Sequence, residues 1–237
     1  MKHPFCMQKA IRIGTWVLAE LTAILTVIYQ LSGEMNESFL LALATPFLLL
    51  LPKLVEKLFR CRLSLPLYLF SLFYALGPMM GQCWKLYYLT AWWDKMLHIF
   101  GGILFALVGW TIFHKLCKEN TPRLATAVFA LCFSVSLSVI WEFLEFGADQ
   151  FLGMDMQHDS ILTEFRSYKL GPAIGVLGIY ENIDQVTLNG IDLPFSGYLD
   201  IGLHDTMWDM LLESLGALVT ALLCYFSKRT SFGFYPK

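Results

Sequence analysis

Charge is what this sequence has least of. Only 15% of its 237 residues are Asp, Glu, Lys or Arg, against 57% hydrophobic, and the mean hydropathy is +0.57. Such a balance excludes an ordinary soluble globule and points to a membrane protein. There is no internal repeat, no low-complexity tract and no second soluble domain, so one membrane domain over 1–237 is expected. No small-residue cleavage site closes the first apolar run, which is expected to be retained as a span rather than removed as a signal peptide. The net charge of −2 names no partner by itself. No nucleic-acid partner is expected; the lipid bilayer is.

What is there in abundance is apolar helix. Six spans are expected, at 11–32, 38–58, 63–82, 94–116, 122–146 and 205–226. Each is near the roughly 20 residues needed to cross a bilayer. The second is the weakest, because Pro46 and Pro52 interrupt it, and it is expected to be kinked or tilted. The fold class is therefore all-α, a polytopic membrane helix bundle. Between the last two spans lies a loop, 147–204, rich in glycine and acids. Within it, Val186 to Leu193 alternates about Asn189-Gly190 and is expected to be a small hairpin. The stretch from Leu162 to Leu170 is expected to form a short helix. A loop this long is uncommon unless functional or self-structured.

The basic residues lie very unevenly. Lys2, Lys9 and Arg12 precede the first span, and Lys53, Lys57, Arg60 and Arg62 join the second to the third. Lys115, Lys118 and Arg123 join the fourth to the fifth, and Lys228, Arg229 and Lys237 follow the sixth. That places 13 of 17 on one side, leaving Lys85, Lys95, Arg166 and Lys169 opposite. By the positive-inside rule both termini are expected in the cytoplasm. Among the acids, only Glu56 and Glu119 then fall in cytoplasmic loops. Cys83 alone falls on the outer face, so no intramolecular disulfide is expected. Cys6, Cys61, Cys117 and Cys224 lie at the cytoplasmic side, with Cys132 inside the fifth span.

Three polar stretches share the outer side. Asp94 and His98 are four apart at the start of the fourth span. Glu142, Glu145 and Asp149 line one face as the fifth ends, and Asp205, Asp209 and Glu213 step inward along the sixth. His158 and His204 are near enough in sequence to join them. A carboxylate within hydrocarbon costs about 2.5–3.5 kcal/mol even on the lenient insertion scale. Such a cluster persists if it is protonated, wetted, paired with Lys95 or Arg166, or bound to a cation. A Glu, Asp and His set facing inward in a bundle is a recurring metal-site composition. His98, Glu142, Glu145 and Asp209 are the candidate ligands for a divalent metal ion. Asp94, His98, Glu142, Glu145, Asp205 and Asp209 are the candidate acid–base or ligand cluster. No organic cofactor site is expected.

Plainer readings stand beside these. Trp84, Tyr87, Tyr88, Trp92, Trp93, Trp141 and Trp208 are first read as interfacial anchors. Asp94, Asp149 and Asp205 also suit solvated helix ends, and acids are favoured at helix N-termini in any case. His98, Glu142 and Asp209 lie within spans, where a functional or networked role is expected. Glu213 and Glu20 read equally as isolated acids. Gly101-Gly102 and Gly216-Ala217 are expected to be close helix contacts.

At these residues the sequence resembles the VanZ-like superfamily, and more closely the YjdF-type (DUF2238) bacterial inner-membrane proteins. The matching pieces are Asp94-Lys95-x-x-His98 with Gly101-Gly102, and Trp141-Glu142-x-x-Glu145 with Asp149. The patch from Gly153 to Gln157, and the run from Gly202 to Asp209 with Gly216-Ala217, complete the set. The resemblance covers the fourth to sixth spans. It implies a bacterial plasma-membrane location and a link to the cell envelope, and no particular reaction. Three functions follow as expectations. The first is a membrane-embedded enzyme acting on a lipid-linked or cell-envelope substrate. The alternatives are a proton- or metal-coupled transporter or cation-binding protein, and a non-catalytic structural or regulatory membrane partner.

Overall fold

The computed structural model describes residues 3–31, 37–117, 121–227 and 232–236. Lys2, Ser32, Gly33, Lys118, Glu119, Lys228, Arg229 and Lys237 lie outside the described residues, as does the side chain of Cys6. Among the described residues, eight helices carry the fold: α1 (His3–Gln30), α2 (Glu37–Leu48), α3 (Leu51–Leu58), α4 (Leu65–Cys83), α5 (Leu86–Leu89), α6 (Trp93–Cys117), α7 (Arg123–Leu152) and α8 (Leu203–Phe226). The chain forms two compact units, Met1–Trp141 with Asp209–Lys237, and Glu142–Trp208.

Among the described residues, five stretches are long and apolar enough to cross a membrane: Met7–Gln30, Ser38–Leu58, Trp93–Cys117, Arg123–Leu152 and Leu203–Phe226. Their outer faces carry bare leucines and isoleucines, such as Leu18, Leu25 and Ile28 on α1 and Leu215 and Leu223 on α8. In water that surface would aggregate; in a bilayer it meets acyl chains. The second stretch is broken between α2 and α3, as its prolines demand. Pro52 lacks the N–H that would continue the ladder, and Leu50 N bonds instead to Phe47 O at 3.1 Å, a tightened turn. The expected third span forms α4, which has no Asp, Glu, Lys or Arg but contains Pro66, Tyr68, Tyr74, Pro78 and Gln82 and is not among these five.

In the first unit α4 is the hub. Its Leu67, Tyr68, Leu72 and Met79 pack with Ala19 and Ala23 of α1 and Ala42 of α2. Alanine at those positions lets the helix axes approach closely. The helix begins at Leu65 rather than 63, because Cys61–Leu63 is strand β1 and Ser64 caps α4 by accepting from Leu67 N at 3.3 Å. Strand β1 pairs antiparallel with Phe234–Pro236, near the C-terminal end of the chain. Arg12 ties this end together. It donates to Leu63 O at 2.8 Å and to Glu56 Oε1 at 2.5 Å, and its guanidinium lies 4.0 Å from the Tyr68 ring centroid. Glu56 is thereby accounted for as an ion-pair partner.

Helices α6 and α8 run parallel. A Cβ on Gly102 would meet the backbone of Glu213 and Ala217, and one on Gly216 would lie 2.5 Å from Ile99 O. Glycine is required at both places because backbone faces backbone. The first half of α7 runs antiparallel to α6: Ser134 Oγ donates to Gly102 O at 3.3 Å, while Gly109 faces Phe133 and Ala130. Trp93, expected as an interfacial anchor, is instead 7% exposed, and its indole N–H donates to Gly77 O at 3.2 Å. Trp92 and Trp84 remain exposed.

The second unit contains the end of α7, the long loop and the start of α8. Helix α7 continues to Leu152, past the expected end at 146, because nothing breaks it before Gly153, whose φ of +65° terminates it. Asp149 is therefore still helical. The expected hairpin forms: Thr187–Leu188 pairs with Ile191–Asp192, with Asn189 at φ 54° and Gly190 at φ 83°. The expected helix from Leu162 to Leu170 does not. Ser160–Leu162 pairs with Tyr198–Asp200, and Phe165–Ser167 pairs with Gly178–Tyr180. Phe165 stacks on Tyr180 at 4.9 Å between centroids and packs against Tyr198 at 5.0 Å. Cross-strand aromatic pairing outweighs the local helix propensity.

Candidate functional site

The polar centre of the first unit is built by two helix starts. On α6, Asp94 sits in the first turn, where the helix dipole favours an acid, and His98 follows one turn later on the same face. On α8, Asp209 and Glu213 are likewise one turn apart. The glycine contacts hold the two helices in parallel register, which brings these four side chains to one level.

His98 stands at the middle. Its Nε2 is 3.5 Å from Asp94 Oδ1 and 3.5 Å from Asp209 Oδ2, while Nδ1 is 3.8 Å from Glu213 Oε2. Both ring nitrogens thus face carboxylates, from two helices. Lys95 takes the remaining sides of the outer pair: its Nζ donates to Asp209 Oδ1 at 2.8 Å and to Asp94 Oδ2 at 3.2 Å. Each aspartate divides its oxygens between Lys95 and the imidazole. Burial grades the set: Asp209 is 1% exposed, Glu213 3% and His98 8%. The Lys95 side chain, at 33%, is the wet end. Glu213 Oε1 is buried without a hydrogen-bond partner among the described residues. Tyr74 lies close by, since a Cβ on Gly101 would be 2.7 Å from its hydroxyl and 3.5 Å from the Glu213 carboxyl carbon.

Three carboxylates against one ammonium leave an excess of negative charge in a site of low dielectric. A buried charge without compensation is expensive, so this centre calls for protons or a cation. The ligand atoms of Asp94, His98 and Asp209 lie within 4.8 Å of one another, close enough to share one ion.

The second unit uses its acids differently. Asp149 accepts from Met156 N at 2.6 Å and from Gln157 N at 2.9 Å. Asp200 accepts from His204 N at 2.7 Å, and Asp205 from His158 N at 3.2 Å. These carboxylates hold loop backbone. Gln157 adds a bond to Thr206 Oγ1 at 2.6 Å, and Trp208 Nε1 donates to His204 Nε2 at 3.2 Å. Desolvation, reinforced by the charge of Asp159 and then by Asp149 and Asp205, raises the Asp155 pKa above the ordinary carboxylate range, with His158 pulling the other way. Asp159 is raised by desolvation and by Asp200 and Asp149. On α7, Glu142 and Glu145 are buried, at 4% and 8% exposure. They continue a face begun by the buried Ser134 and Ser138.

Of the residues singled out from sequence, Asp94, His98 and Asp209 come together in the first unit. Glu142, Glu145 and Asp205 belong to the second, and Asp205 has a loop-holding bond there. Two further members were left open by the sequence. Glu213, spaced four from Asp209, read equally as part of the inward-stepping face or as an isolated acid; it faces the second nitrogen of His98. Lys95 read as one of two optional counter-ions, with no signal that it would bridge both aspartates.

Among the comparisons with known proteins, no curated protein matches the chain and no solved structure does. The family model described as "Predicted membrane protein (DUF2238)" matches residues 14–230, nearly the whole chain. The five long apolar helices with lipid-suited outer faces agree with that description. The chain belongs to the DUF2238 family of multi-pass membrane proteins.

Proposed function

We propose that the chain is a bacterial plasma-membrane enzyme acting on a lipid-linked or cell-envelope substrate, with His98 as its proton-transfer group. The observation that carries this is the buried imidazole with carboxylates on both nitrogens. An imidazole so placed takes a proton at Nε2 and releases one at Nδ1 without moving, which is what general acid–base chemistry needs. Lys95 holds Asp94 and Asp209 in position, and Glu213 supports the inner nitrogen. The centre proposed consists of these first-unit residues alone.

The polar residues occupy one end of their helices. From Ile99 to Phe113 α6 has no ionisable side chain, a length of about 20 Å at 1.5 Å per residue. Beyond Glu213, α8 has no charged residue to its end at Phe226. A one-sided centre suits a reaction at a membrane face better than a path through it. One observation favours transport instead: Glu20, in the middle of the first stretch, is within electrostatic reach of Lys53, whose Nζ lies 3.0 Å from the Trp16 ring centroid.

Mass spectrometry of lipid extracts from cells making wild type, His98→Gln or Asp209→Asn tests the reading. A lipid-linked species that changes with wild type alone is expected. Unchanged lipids, together with proton-coupled flux in proteoliposomes that His98→Gln abolishes, would establish the transport reading instead. For orientation, the proposal puts both termini in the cytoplasm, supported by the basic residues. A C-terminal green fluorescent protein fusion is expected to fluoresce; activity from a C-terminal alkaline phosphatase fusion would reverse it.

A further inference from the structure

We infer that Asp94 Oδ1, His98 Nε2 and Asp209 Oδ2 form a binding site for one divalent transition-metal ion, with Glu213 orienting the histidine and Lys95 orienting the two aspartates. A metal on Nε2 takes the lone pair that the proton-transfer reading uses, so in the loaded protein the chemistry of the proposed enzyme would rest on the ion and its bound water in place of the imidazole.

Spacing is the first support. Ligands about 2.1 Å from a tetrahedral ion are about 3.4 Å apart. His98 Nε2 is 3.5 Å from Asp94 Oδ1 and from Asp209 Oδ2, and one ligand atom from each of the three residues falls within 4.8 Å of the other two. The donors need only close slightly on an ion placed between them. One nitrogen with two carboxylate oxygens is a borderline-to-hard set, suited to Zn²⁺ or Mn²⁺ rather than to a soft ion.

The surroundings are the second support. A ligating histidine usually gives its other ring nitrogen to a carboxylate, which fixes the tautomer and the ring plane. Glu213 Oε2, 3.8 Å from Nδ1, is placed for that duty. Its Oε1 is buried and has no hydrogen-bond partner among the described residues, so the first unit offers this carboxylate little other compensation. Lys95 does not block the site. Its bonds to the two aspartates run to Asp209 Oδ1 and Asp94 Oδ2, not to the oxygens nearest His98 Nε2.

Charge is the third. Asp94, Asp209 and Glu213 bring three negative charges and Lys95 one positive. A divalent ion bound to neutral His98 brings the total to zero, the state a low-dielectric site favours. A metal held this way also polarises a bound phosphoryl or carbonyl oxygen, or a bound water, at the wet end marked by Lys95.

The test is electron paramagnetic resonance on the purified full chain in detergent, stripped with chelator and titrated with Mn²⁺. One ion per chain is expected, with nitrogen modulation in the pulsed spectrum that changes when histidine is labelled with ¹⁵N. His98→Gln is expected to abolish that modulation, and Glu213→Gln to weaken affinity by about 10- to 100-fold. Wild type alone already decides, should a variant fail to fold: no bound Mn²⁺, or bound Mn²⁺ without histidine nitrogen, overturns the site. Nitrogen modulation that survives His98→Gln in a folded protein overturns it equally. A bound ion without any lipid change removes the enzyme reading and leaves the metal; a lipid change without a bound ion does the reverse.

Discussion

The two units use the same side chain in opposite ways. In the first, Asp94 and Asp209 face charged or chargeable side chains, Lys95 and His98, and Glu213 faces His98. In the second, Asp149, Asp200 and Asp205 accept from backbone N–H groups of the loop, and of the three Asp205 alone also faces an imidazole, His158 Nδ1 at 3.8 Å. A carboxylate on backbone amides is satisfied and structural. A buried carboxylate beside an imidazole and an ammonium retains unbalanced charge, and that imbalance makes the first unit the place to look for chemistry. Acid count alone would have favoured the loop, which is richer in Asp and Glu.

The sharpest way to break this contrast is Asp209→Asn. It takes one carboxylate partner from Lys95 and one from His98. A loss of roughly 2–4 kcal/mol is expected, lowered from the value for a fully buried pair because Lys95 is partly wet. Chemical unfolding in detergent measures it. In a Lys95→Met background the same change is expected to lose less, since the uncompensated ammonium is gone. Equal losses in both backgrounds would mean the pair is not coupled.

Next in size is the helix contact that sets the register. Gly102→Ala is expected to destabilise by about 1–3 kcal/mol, because the added Cβ meets the backbone of α8. Gly147→Ala, on α7 where a Cβ would meet nothing within 4 Å, is expected to be neutral or slightly stabilising. Thermal melts of the two variants side by side check the difference.

Asp149→Ala sharpens the other side of the contrast. It removes two charge-assisted bonds to backbone, each worth about 1.5–3 kcal/mol at most. The effect is expected to stay local: faster hydrogen exchange at 153–158, with the unfolding of the first unit unchanged. Loss of lipid or metal phenotype in Asp149→Ala but not in Asp209→Asn would invert the assignment of roles.

The smallest effect expected is one of pH. The Asp155 pKa is raised in the folded state. Its contribution to stability is therefore fully present below the ordinary carboxylate pKa and is lost as pH rises through the raised value. Asp155→Asn is expected to protect the loop slightly at neutral pH and to make no difference in acid. Hydrogen exchange across pH, corrected for the chemical rate, checks the sign.

Much of this was legible in the residues. Five of the six expected spans are long and apolar enough to cross a membrane, which hydropathy can read because it needs only length and apolar content. Asn189-Gly190 announces its hairpin because few other pairs tolerate two positive φ angles. Helical spacing aligns Asp94 with His98 and Asp209 with Glu213. What periodicity leaves open is which helix each polar face meets. That choice was made by Gly102 and Gly216, where the absence of a Cβ lets α6 and α8 close backbone to backbone and in parallel. From that approach follow the Glu213 contact with the inner nitrogen of His98 and the reach of Lys95 across both aspartates. Sequence determined that acids and histidine would gather at one end of the helices; only the tertiary structure decided which of them meet, because that depends on how closely two helix surfaces fit.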